Sequence, residues 1–488
     1  MGRAVAGDRL ADFHDRDAVV VGAGPNGLVA AITLAQAGRS VTVLEAAETV
    51  GGGARTAELT LPGYAHDVCS AVHALSLVSP ALRQLPLTEH GLDLVHPQVP
   101  LAHPLDDGTA VLLHRGVAET ADSVGAADAR AYRRLMDPLV RNADGLMAEL
   151  LGPLRPPRHP VAMGRFGLVG LQSASRLGRS RFSEQRGRAL LGGVAAHSML
   201  RLDQIPTAAI ALVLMTAGHA VGWPFARGGS QALVDALASL LRSLGGEIRT
   251  GHRVESVDEL DGAGAVLLDV TPRQVLALAG HRLPARYLRS LRRFRYGPGV
   301  FKLDWALDGP IPWRAEGART AGTVHLGGTF AEVASSEADV AGGRVPERPY
   351  VLLTQPTVCD PSRAPAGKHV GWAYCHVPAG CELDMTARIE DQVERFAPGF
   401  RELILARSSM TAVQMEGYNA NYVGGDINGG LQDLRQLFTR PVARPVPYST
   451  PDPRLFICSS STPPGGGVHG MCGWFAAQAA LRRLDQGS

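Results

Sequence analysis

The feature that most constrains this chain is a glycine-rich turn between an apolar strand and a helix near its start. Residues 18–21 are Ala-Val-Val-Val, an unbroken apolar run typical of a parallel strand that is buried on both faces. Gly-Ala-Gly-Pro-Asn-Gly follows at 22–27, and a helical run follows at 28–35. A second apolar run at 41–44 ends at Glu45. This order predicts a βαβ unit whose first turn binds the phosphates of a dinucleotide.

Each glycine of the turn has its own physical role. Gly22 allows the tight turn out of the strand, Gly24 lets the backbone approach a pyrophosphate, and Gly27 lets the helix pack closely on the strand. The free N–H groups and the positive dipole end of the helix face the phosphates. Glu45 stands 18 residues after Gly27, where an acidic residue accepts hydrogen bonds from a ribose diol and repels a 2′-phosphate. FAD or NAD is therefore expected, and NADP is not.

Two further segments favour FAD over NAD. Glycines 51–53 follow the ribose-binding acid and would bring more backbone N–H groups to the pyrophosphate and the flavin, with Arg55 as a nearby cation. Near the other end of the chain, a glycine-rich loop at 465–467 precedes a helical run at 474–481. A reduced flavin carries negative charge, which such N–H donors and a helix dipole stabilise. The sequence therefore predicts FAD as the cofactor.

The sequence resembles the FAD-dependent phytoene-desaturase-like family, within the wider carotenoid-desaturase and flavin amine oxidase superfamily. The resemblance runs over most of the chain and rests on segments 22–27, 62–67, 228–233, 296–302, 360–365, 397–400 and 464–470. It implies an α/β fold with a discontinuous Rossmann-type, glutathione-reductase-like FAD domain and an inserted α+β substrate domain. Residues 1–80, 226–298 and 445–488 would form the FAD domain, and residues 81–225 and 299–444 the substrate domain.

The resemblance also implies which residues hold the cofactor. Glu45 would bind the adenosine ribose, and Val254 would meet the adenine through its backbone. The last glycine loop would border the isoalloxazine ring. The full predicted set is Gly22, Gly24, Pro25, Asn26, Gly27, Glu45, Ala46, Gly52, Gly53, Arg55, Val254, Ser460, Gly466, Gly467, Val468 and His469.

Two positions depart from the family pattern. Many relatives have arginine directly after the paired glycines, whereas this chain has Ala54 there and Arg55 one residue later. Many also have an acidic residue shortly before the C-terminal glycines, where this chain has serines at 459–461. A serine can hydrogen-bond the ribityl chain, so Ser460 is kept as a predicted cofactor contact.

To catalyse hydride transfer to a flavin, a protein must orient the substrate, exclude water and provide suitable electrostatics. It does not need an acid or a base of its own. The candidate catalytic residues are therefore those whose apolar or glycine-rich settings could face a pocket. They are His469, His66, Asp67, His197 and His219. For any one of these histidines, a position in the protein core with satisfied hydrogen bonds is more common than a catalytic role. No Cys/His cluster has metal-ligand spacing, so no metal site is predicted.

The middle of the chain divides into a helical part and a strand-rich part. Residues 80–225 are predicted to be mostly helical, with one strand near 110–114. The longest apolar run, 208–223, is shorter than about 20 residues and is predicted to be a buried helix, not a membrane span. A strand at 265–270 is predicted to return to the dinucleotide sheet, and strands within 300–440 to form a sheet over the flavin.

Charge and composition exclude several classes of partner. The formal net charge is only +2, so nucleic-acid binding has no electrostatic support. The five arginines within 176–188 fit a solvated helix face better than a membrane-surface patch, because few aromatic residues accompany them. The first 17 residues contain no apolar h-region, which predicts a cytoplasmic protein. The six cysteines form no C-x-x-C pair and are expected to be reduced. The oligomeric state is left open.

The function predicted from these features is FAD-dependent dehydrogenation of a mostly apolar organic substrate by hydride transfer to flavin N5. No second G-x-G-x-x-G follows a strand, so electrons are expected to leave for oxygen, a quinone or another carrier. One alternative is a flavin amine oxidase that uses oxygen. An alternative of another class is a flavin-binding scaffold or sensor without turnover.

Overall fold

The computed structural model describes Phe13 and residues 16–486. The strands of this part of the chain are β1 Ala18–Val21, β2 Val41–Leu44, β3 Thr56–Ala57, β4 His66–Asp67, β5 Leu94–Val95, β6 Val99–Pro104, β7 Ala110–Leu113, β8 Phe225–Ala226, β9 Glu247–Arg249, β10 Ala265–Leu268, β11 Gly299–Leu307, β12 Ala321–Leu326, β13 Val351–Thr354, β14 His369–Val377, β15 Ile404–Met410 and β16 Leu455–Ile457.

The α-helices of the same residues fall mainly between these strands. They are α1 Pro25–Gln36, α2 Ala74–Val78, α3 Val117–Val124, α4 Ala126–Arg141, α5 Ala143–Leu150, α6 Pro160–Gly170, α7 Ala174–Arg181, α8 Gln185–Ala195, α9 Thr207–Val221, α10 Gln231–Ser243, α11 Pro272–Ala279, α12 Ala285–Arg292, α13 Phe330–Ala341, α14 Thr386–Phe396, α15 Ala412–Tyr418, α16 Leu434–Thr439 and α17 Met471–Leu484.

The first large sheet has five parallel strands in the order β16-β10-β1-β2-β9. Side chains alternate across β1, because successive residues of a strand point to opposite faces. Ala18 and Val20 pack in the core that contains α1 and α17, whereas Val19 and Val21 pack in the core that contains α11 and α12. Burial on both faces explains the unbroken apolar run of this strand. The predicted Rossmann-type α/β fold is confirmed.

The second large sheet has seven strands in the order β15-β11-β14-β13-β12-β6-β7. Its neighbours are antiparallel except for β6 and β12, which are parallel. The residues of β14 alternate between two cores. Ala373 and Cys375 pack in the core with α14, and Trp372 and Tyr374 face the core shared with the dinucleotide sheet. One face of this sheet therefore looks toward the dinucleotide half of the molecule.

The helices α3 to α9 lie within the first predicted portion of the substrate domain, residues 81–225, and α8 packs against both α9 and α13. The long apolar run is α9, with 15 residues, and much of it is buried. Among the described residues, no helix combines the length and apolar character needed to cross a bilayer. The domain limits given above stay a prediction.

One expectation about strands was wrong, and a second was confirmed except for the last two residues of the strand. The chain between 80 and 225 holds β5 and β6 as well as the predicted strand near 110–114, and β6 sits inside the second sheet between β12 and β7. Pro100 and Pro104 make β6 difficult to predict from the sequence, because proline usually marks an edge strand or a loop. The predicted strand 265–270 ends at Leu268, since Pro272 starts α11 shortly afterwards.

Close contact between α1 and α17 depends on Gly473. A Cβ added at this residue would lie 1.8 Å from the carbonyl oxygen of Asn26. We expect Gly473→Ala to lower the free energy of unfolding by about 3 kcal/mol, because backbone must move to relieve the clash. Urea denaturation followed by circular dichroism measures the change.

Gly164→Ala is the matched control for this substitution. Gly164 lies in α6, and a Cβ there meets nothing within 4 Å. Alanine favours a helix over glycine by up to about 1 kcal/mol, so this variant should be as stable as the wild type or more stable. Equal stability of the two variants would contradict the packing account.

Candidate functional site

A cavity of about 750 Å³ joins the carboxyl edge of the five-stranded sheet to one face of the seven-stranded sheet. It is lined by most of the residues that the sequence predicts for cofactor binding. These are Gly22, Gly24, Pro25, Asn26, Glu45, Ala46, Gly52, Gly53, Arg55, Val254, Ser460, Gly467 and Val468. Gly27, Gly466 and His469 do not line it. The structure thus brings residues from both ends and the middle of the chain to one elongated space.

The first glycine turn is held by close backbone packing. Gly22 has φ +106°, in the left-handed region that favours glycine. A Cβ on Gly27 would lie 2.1 Å from the carbonyl oxygen of Gly22, so the start of α1 can approach the strand only without that atom. Gly24 and Gly52 meet across the cavity wall, where a Cβ on Gly52 would lie 3.1 Å from the Cα of Gly24. Side chains at these positions would fill the space beside the turn.

Glu45 is fixed by backbone donors at the carboxyl end of β2. Its Oε2 accepts a hydrogen bond from Ala23 N at 2.8 Å, and its Oε1 accepts one from Ala47 N at 2.9 Å. The Arg55 guanidinium lies 3.5 Å from Glu45 Oε1 and donates to Thr49 O at 2.7 Å. Arg55 therefore neutralises part of the charge of this carboxylate at the cavity wall.

The C-terminal loop meets the first glycine turn directly. Asn26 Nδ2 donates to Ser460 Oγ at 3.3 Å, while the buried Asn26 Oδ1 has no protein partner among the described residues. Ser76 Oγ donates to Val468 O at 2.6 Å, and Ser79 Oγ donates to His469 O at 2.5 Å. These bonds tie the loop to the N-terminal segment, so residues from the two ends of the chain share one wall.

Of the five candidate catalytic residues, only His197 lines the cavity. His66 contacts Thr60 Oγ1 at 2.7 Å and lies 3.6 Å from a carboxylate oxygen of Asp304. Burial is the main cause that lowers the pKa of His66 to about 3. Asp67 accepts hydrogen bonds from Ser230 N, Thr56 Oγ1 and Arg363 Nη2, each at 2.8 Å. His66 and Asp67 thus belong to a buried polar cluster behind the cavity wall.

The other two histidines are also bonded inside the protein. His219 contacts the hydroxyl of Tyr132 at 2.7 Å and the carbonyl of Arg115 at 3.1 Å. His469 accepts a hydrogen bond from Met471 N through Nδ1 at 3.1 Å, and its Nε2 lies 3.2 Å from Gly465 O. Burial lowers the pKa of His469 to about 4, so this ring is neutral at pH 7. Its contacts fit a role in shaping the loop.

The cavity is polar at one end and apolar at the other. Its charged side chains all lie at the end formed by the dinucleotide sheet; among the described residues they are Glu45, Arg55, Arg253, Glu255 and Asp269. At the other end the wall comes from the seven-stranded sheet and α9. It includes Leu214, Trp223, Leu352, Trp372 and Tyr374. This arrangement suits a charged nucleotide at one end and a mostly apolar molecule at the other.

Comparison with known proteins agrees with this geometry. Residues 20–85 match the family described as an NAD(P)-binding Rossmann-like domain. A mouse protein named pyridine nucleotide-disulfide oxidoreductase domain-containing protein 2 is 28% identical, and the match covers 96% of this chain and 94% of that protein. Phytoene dehydrogenase of Streptomyces griseus is 30% identical over 80% of this chain and 77% of that protein.

The chain belongs to the phytoene-desaturase-like family. It is an oxidoreductase, as the named relatives are. A solved oxidoreductase structure from Methanosarcina mazei has the same fold, with a TM-score of 0.66, 17% identity, and coverage of 95% of this chain and 99% of that one. The resemblance stated from the sequence motifs is confirmed.

Two residues of this desaturase-like site escaped the sequence analysis. Asp269 follows β10 and accepts a hydrogen bond from Gly27 N at 2.9 Å, although its position at the end of a predicted strand could have identified it. Arg440 is fully buried and donates to the carbonyls of Ser460 at 2.7 Å and Gly429 at 3.1 Å. No local pattern marks Arg440, because its partners lie in other loops.

The pKa of Asp269 leads to a prediction about stability. Burial is the main cause that raises it from 3.8 to about 7. Between these values the unfolded chain has lost a proton that the folded protein keeps, so this carboxyl lowers stability progressively as the pH rises from about 4 to about 7. Asp269→Asn keeps an oxygen acceptor for Gly27 N and cannot titrate.

We expect the stability of Asp269→Asn relative to the wild type to increase by about 2–4 kcal/mol between pH 4.5 and pH 8. Urea unfolding with no added nucleotide, repeated across this range, measures the difference. Above about pH 7 the difference should level off. A difference that stays the same at every pH would show that Asp269 is not buried as described.

Proposed function

We propose that this protein is an FAD-dependent dehydrogenase that removes a hydride and a proton from a mostly apolar organic substrate and so forms a new double bond. The observation that carries the proposal is the single cavity that runs from the dinucleotide-binding edge to an aromatic and aliphatic wall. When bound, FAD supplies the acceptor for the hydride at flavin N5. The residues of the chain bind and orient the cofactor and the substrate.

The residues at the charged end fit the adenosine and pyrophosphate of FAD. Glu45 has both carboxylate oxygens oriented by backbone donors and lies at the cavity wall, where it would accept the hydrogen bonds of the ribose diol. Gly24 and Gly52 leave room that a Cβ would fill. Asn26 Oδ1 is a buried acceptor without a partner among Phe13 and residues 16–486, so a hydroxyl of the cofactor would satisfy it.

The flavin end is assigned by similarity to the desaturase family. Gly467 and Val468 would border the isoalloxazine ring from one side, and Gly52 and Gly53 from the other, since all four line the same cavity. The seven-stranded sheet then lies beside the expected ring position. Its Trp372 and Tyr374 side chains would hold the substrate and keep water away from the reacting bond.

Charge favours a desaturase over an amine oxidase. The charged residues that line the cavity are grouped around the nucleotide end, so none of the described carboxylates faces the apolar chamber to bind a substrate ammonium. Burial lowers the pKa of His197 to about 3, so the imidazole that reaches the chamber is neutral. We propose oxygen or a quinone as the electron acceptor, because no second dinucleotide motif is present in the sequence.

Anaerobic reduction of the flavin tests the proposal. Purified protein should be yellow, contain one FAD per chain, and lose its absorbance near 450 nm when a dehydrogenable isoprenoid or alkyl substrate from a panel is added. Primary amines of the same chain length should not bleach it. Bleaching by amines alone would favour an amine oxidase, and bound FAD that no compound reduces would favour a scaffold or sensor.

Glu45→Gln tests the nucleotide end independently of substrate. We expect FAD to bind at least 10-fold more weakly, because a charge-assisted hydrogen bond to the ribose contributes about 1.5–3 kcal/mol. Equilibrium dialysis of apoprotein with FAD measures this. Glu48→Gln removes an exposed carboxylate three residues away that does not line the cavity, and it should bind FAD normally. Equal affinities of the two variants would contradict the assignment of Glu45.

A further inference from the structure

Three residues at the same level of three neighbouring strands face the apolar chamber. Thr323 of β12 is paired with Thr354 of β13, and Thr354 is paired with Trp372 of β14. Residues directly opposite one another on antiparallel strands place their side chains on the same face, with Cβ atoms about 4.5–5.5 Å apart. All three side chains line the cavity. They form a continuous polar row across a wall that is otherwise mostly aromatic and aliphatic.

The polar atoms of this row have no hydrogen-bond partners in the part of the chain that the structure describes. Thr323 Oγ1, Thr354 Oγ1 and Trp372 Nε1 are buried and make no hydrogen bond with any described residue. The three residues are 1%, 0% and 5% exposed. A buried polar group without a partner is costly, and natural proteins nearly always satisfy such groups. Three of them side by side on a cavity wall therefore point to a ligand that supplies their hydrogen bonds.

We propose that the row Thr323, Thr354 and Trp372 is a subsite for a neutral hydroxyl or carbonyl oxygen on the otherwise apolar substrate. This inference rests on the proposed function and names the substrate class within it. An indole N–H can only donate, so the group that it meets must have a lone pair. The two hydroxyls can donate to the same oxygen or accept from it.

The surroundings of the row exclude a charged group at this position. His197 also lines the chamber, and its Nε2 is 3.0 Å from His325 Nε2, so the ring is tied to a second buried histidine. Desolvation lowers the pKa of both rings, which keeps them neutral. An ammonium has no lone pair for the indole N–H. The Nζ of Lys302 lies 6.0 Å from the centroid of the Trp372 ring, but this lysine is paired with Asp304 and does not line the cavity, so it is not free to pair with a substrate carboxylate. A neutral oxygen matches all the groups present.

A pure hydrocarbon that filled this chamber would displace water from it and leave the three polar atoms unsatisfied. Sites built to hydrogen-bond an oxygen discriminate strongly against analogues that lack it, because the buried polar groups are then left unpaired. The row therefore acts as a specificity element. It selects an oxygenated chain over a hydrocarbon of the same shape and fixes which carbon atoms lie beside the flavin.

Binding of simple probes to the FAD-loaded protein tests the inference. The probes are 1-dodecanol, 2-dodecanone, dodecylamine and dodecane, delivered in one detergent, and the perturbation of the flavin absorption spectrum gives each Kd. We expect Thr354→Val to weaken binding of dodecanol and dodecanone about 5- to 20-fold, since valine keeps the shape and removes the hydroxyl. Thr323→Val and Trp372→Phe should act in the same direction. Affinity of the two threonine variants for dodecane should stay within about twofold of wild type.

Thr357→Val is the matched control. Thr357 is also buried in the same half of the molecule, but its hydroxyl contacts His369 and it does not line the cavity. This variant should bind all probes as the wild type does. Thr354→Val should also unfold at the same temperature as the wild type without probe, or about 1–3 °C higher, because it removes a hydroxyl that has no protein partner. If the Thr354 hydroxyl had a structural role, Thr354→Val would unfold at a lower temperature than the wild type.

Several results would overturn the subsite. The first is that the three variants bind dodecanol as tightly as the wild type does, and the second is that the threonine variants lose as much affinity for dodecane as for dodecanol. The third is that the wild type binds dodecylamine more tightly than the other probes. The fourth is that no probe changes the flavin spectrum. Each of these leaves FAD content and flavin reduction intact and so refutes the subsite alone. Wild-type protein that takes up no FAD would remove the proposed function, and the subsite with it.

Discussion

The structure depends on close backbone contact where α1 begins. Gly27 meets the carbonyl of Gly22, and Gly473 of α17 meets the carbonyl of Asn26, with no room for a Cβ at either glycine. These contacts place the first turn and the last helix against one another. Because Gly22 and Asn26 also line the cavity, the packing of the fold and the shape of the nucleotide end have a common origin.

The second sheet gives the cavity its chemical asymmetry. The dinucleotide edge supplies every charged side chain of the lining that the structure describes, and the seven-stranded sheet supplies aromatic, aliphatic and hydroxyl groups. A charged cofactor and an apolar substrate can therefore share one cavity, with the charged cofactor against polar groups and the apolar substrate against apolar ones. The neutral state of His197, which follows from burial, preserves this division.

The sequence predicted the nucleotide end because its signals are local. The glycine spacing, the apolar strands and Glu45 lie within 28 consecutive residues from 18 to 45, and each has a direct physical role. Asp269 and Arg440 were missed because they act on loops that are distant in sequence. The strand β6 was missed because its prolines resemble loop signals. The row of Thr323, Thr354 and Trp372 depends on the register of three strands, which no local pattern specifies.

The most direct test of the central claim is a crystal structure of the protein purified with its cofactor. The account predicts one FAD with its adenosine ribose on Glu45, its pyrophosphate at the turn of Gly24 and Asn26, and its tricyclic ring beside Gly467 and Val468, facing the sheet that carries Trp372. Electron density for a nicotinamide nucleotide, or for a flavin ring outside this cavity, would contradict it.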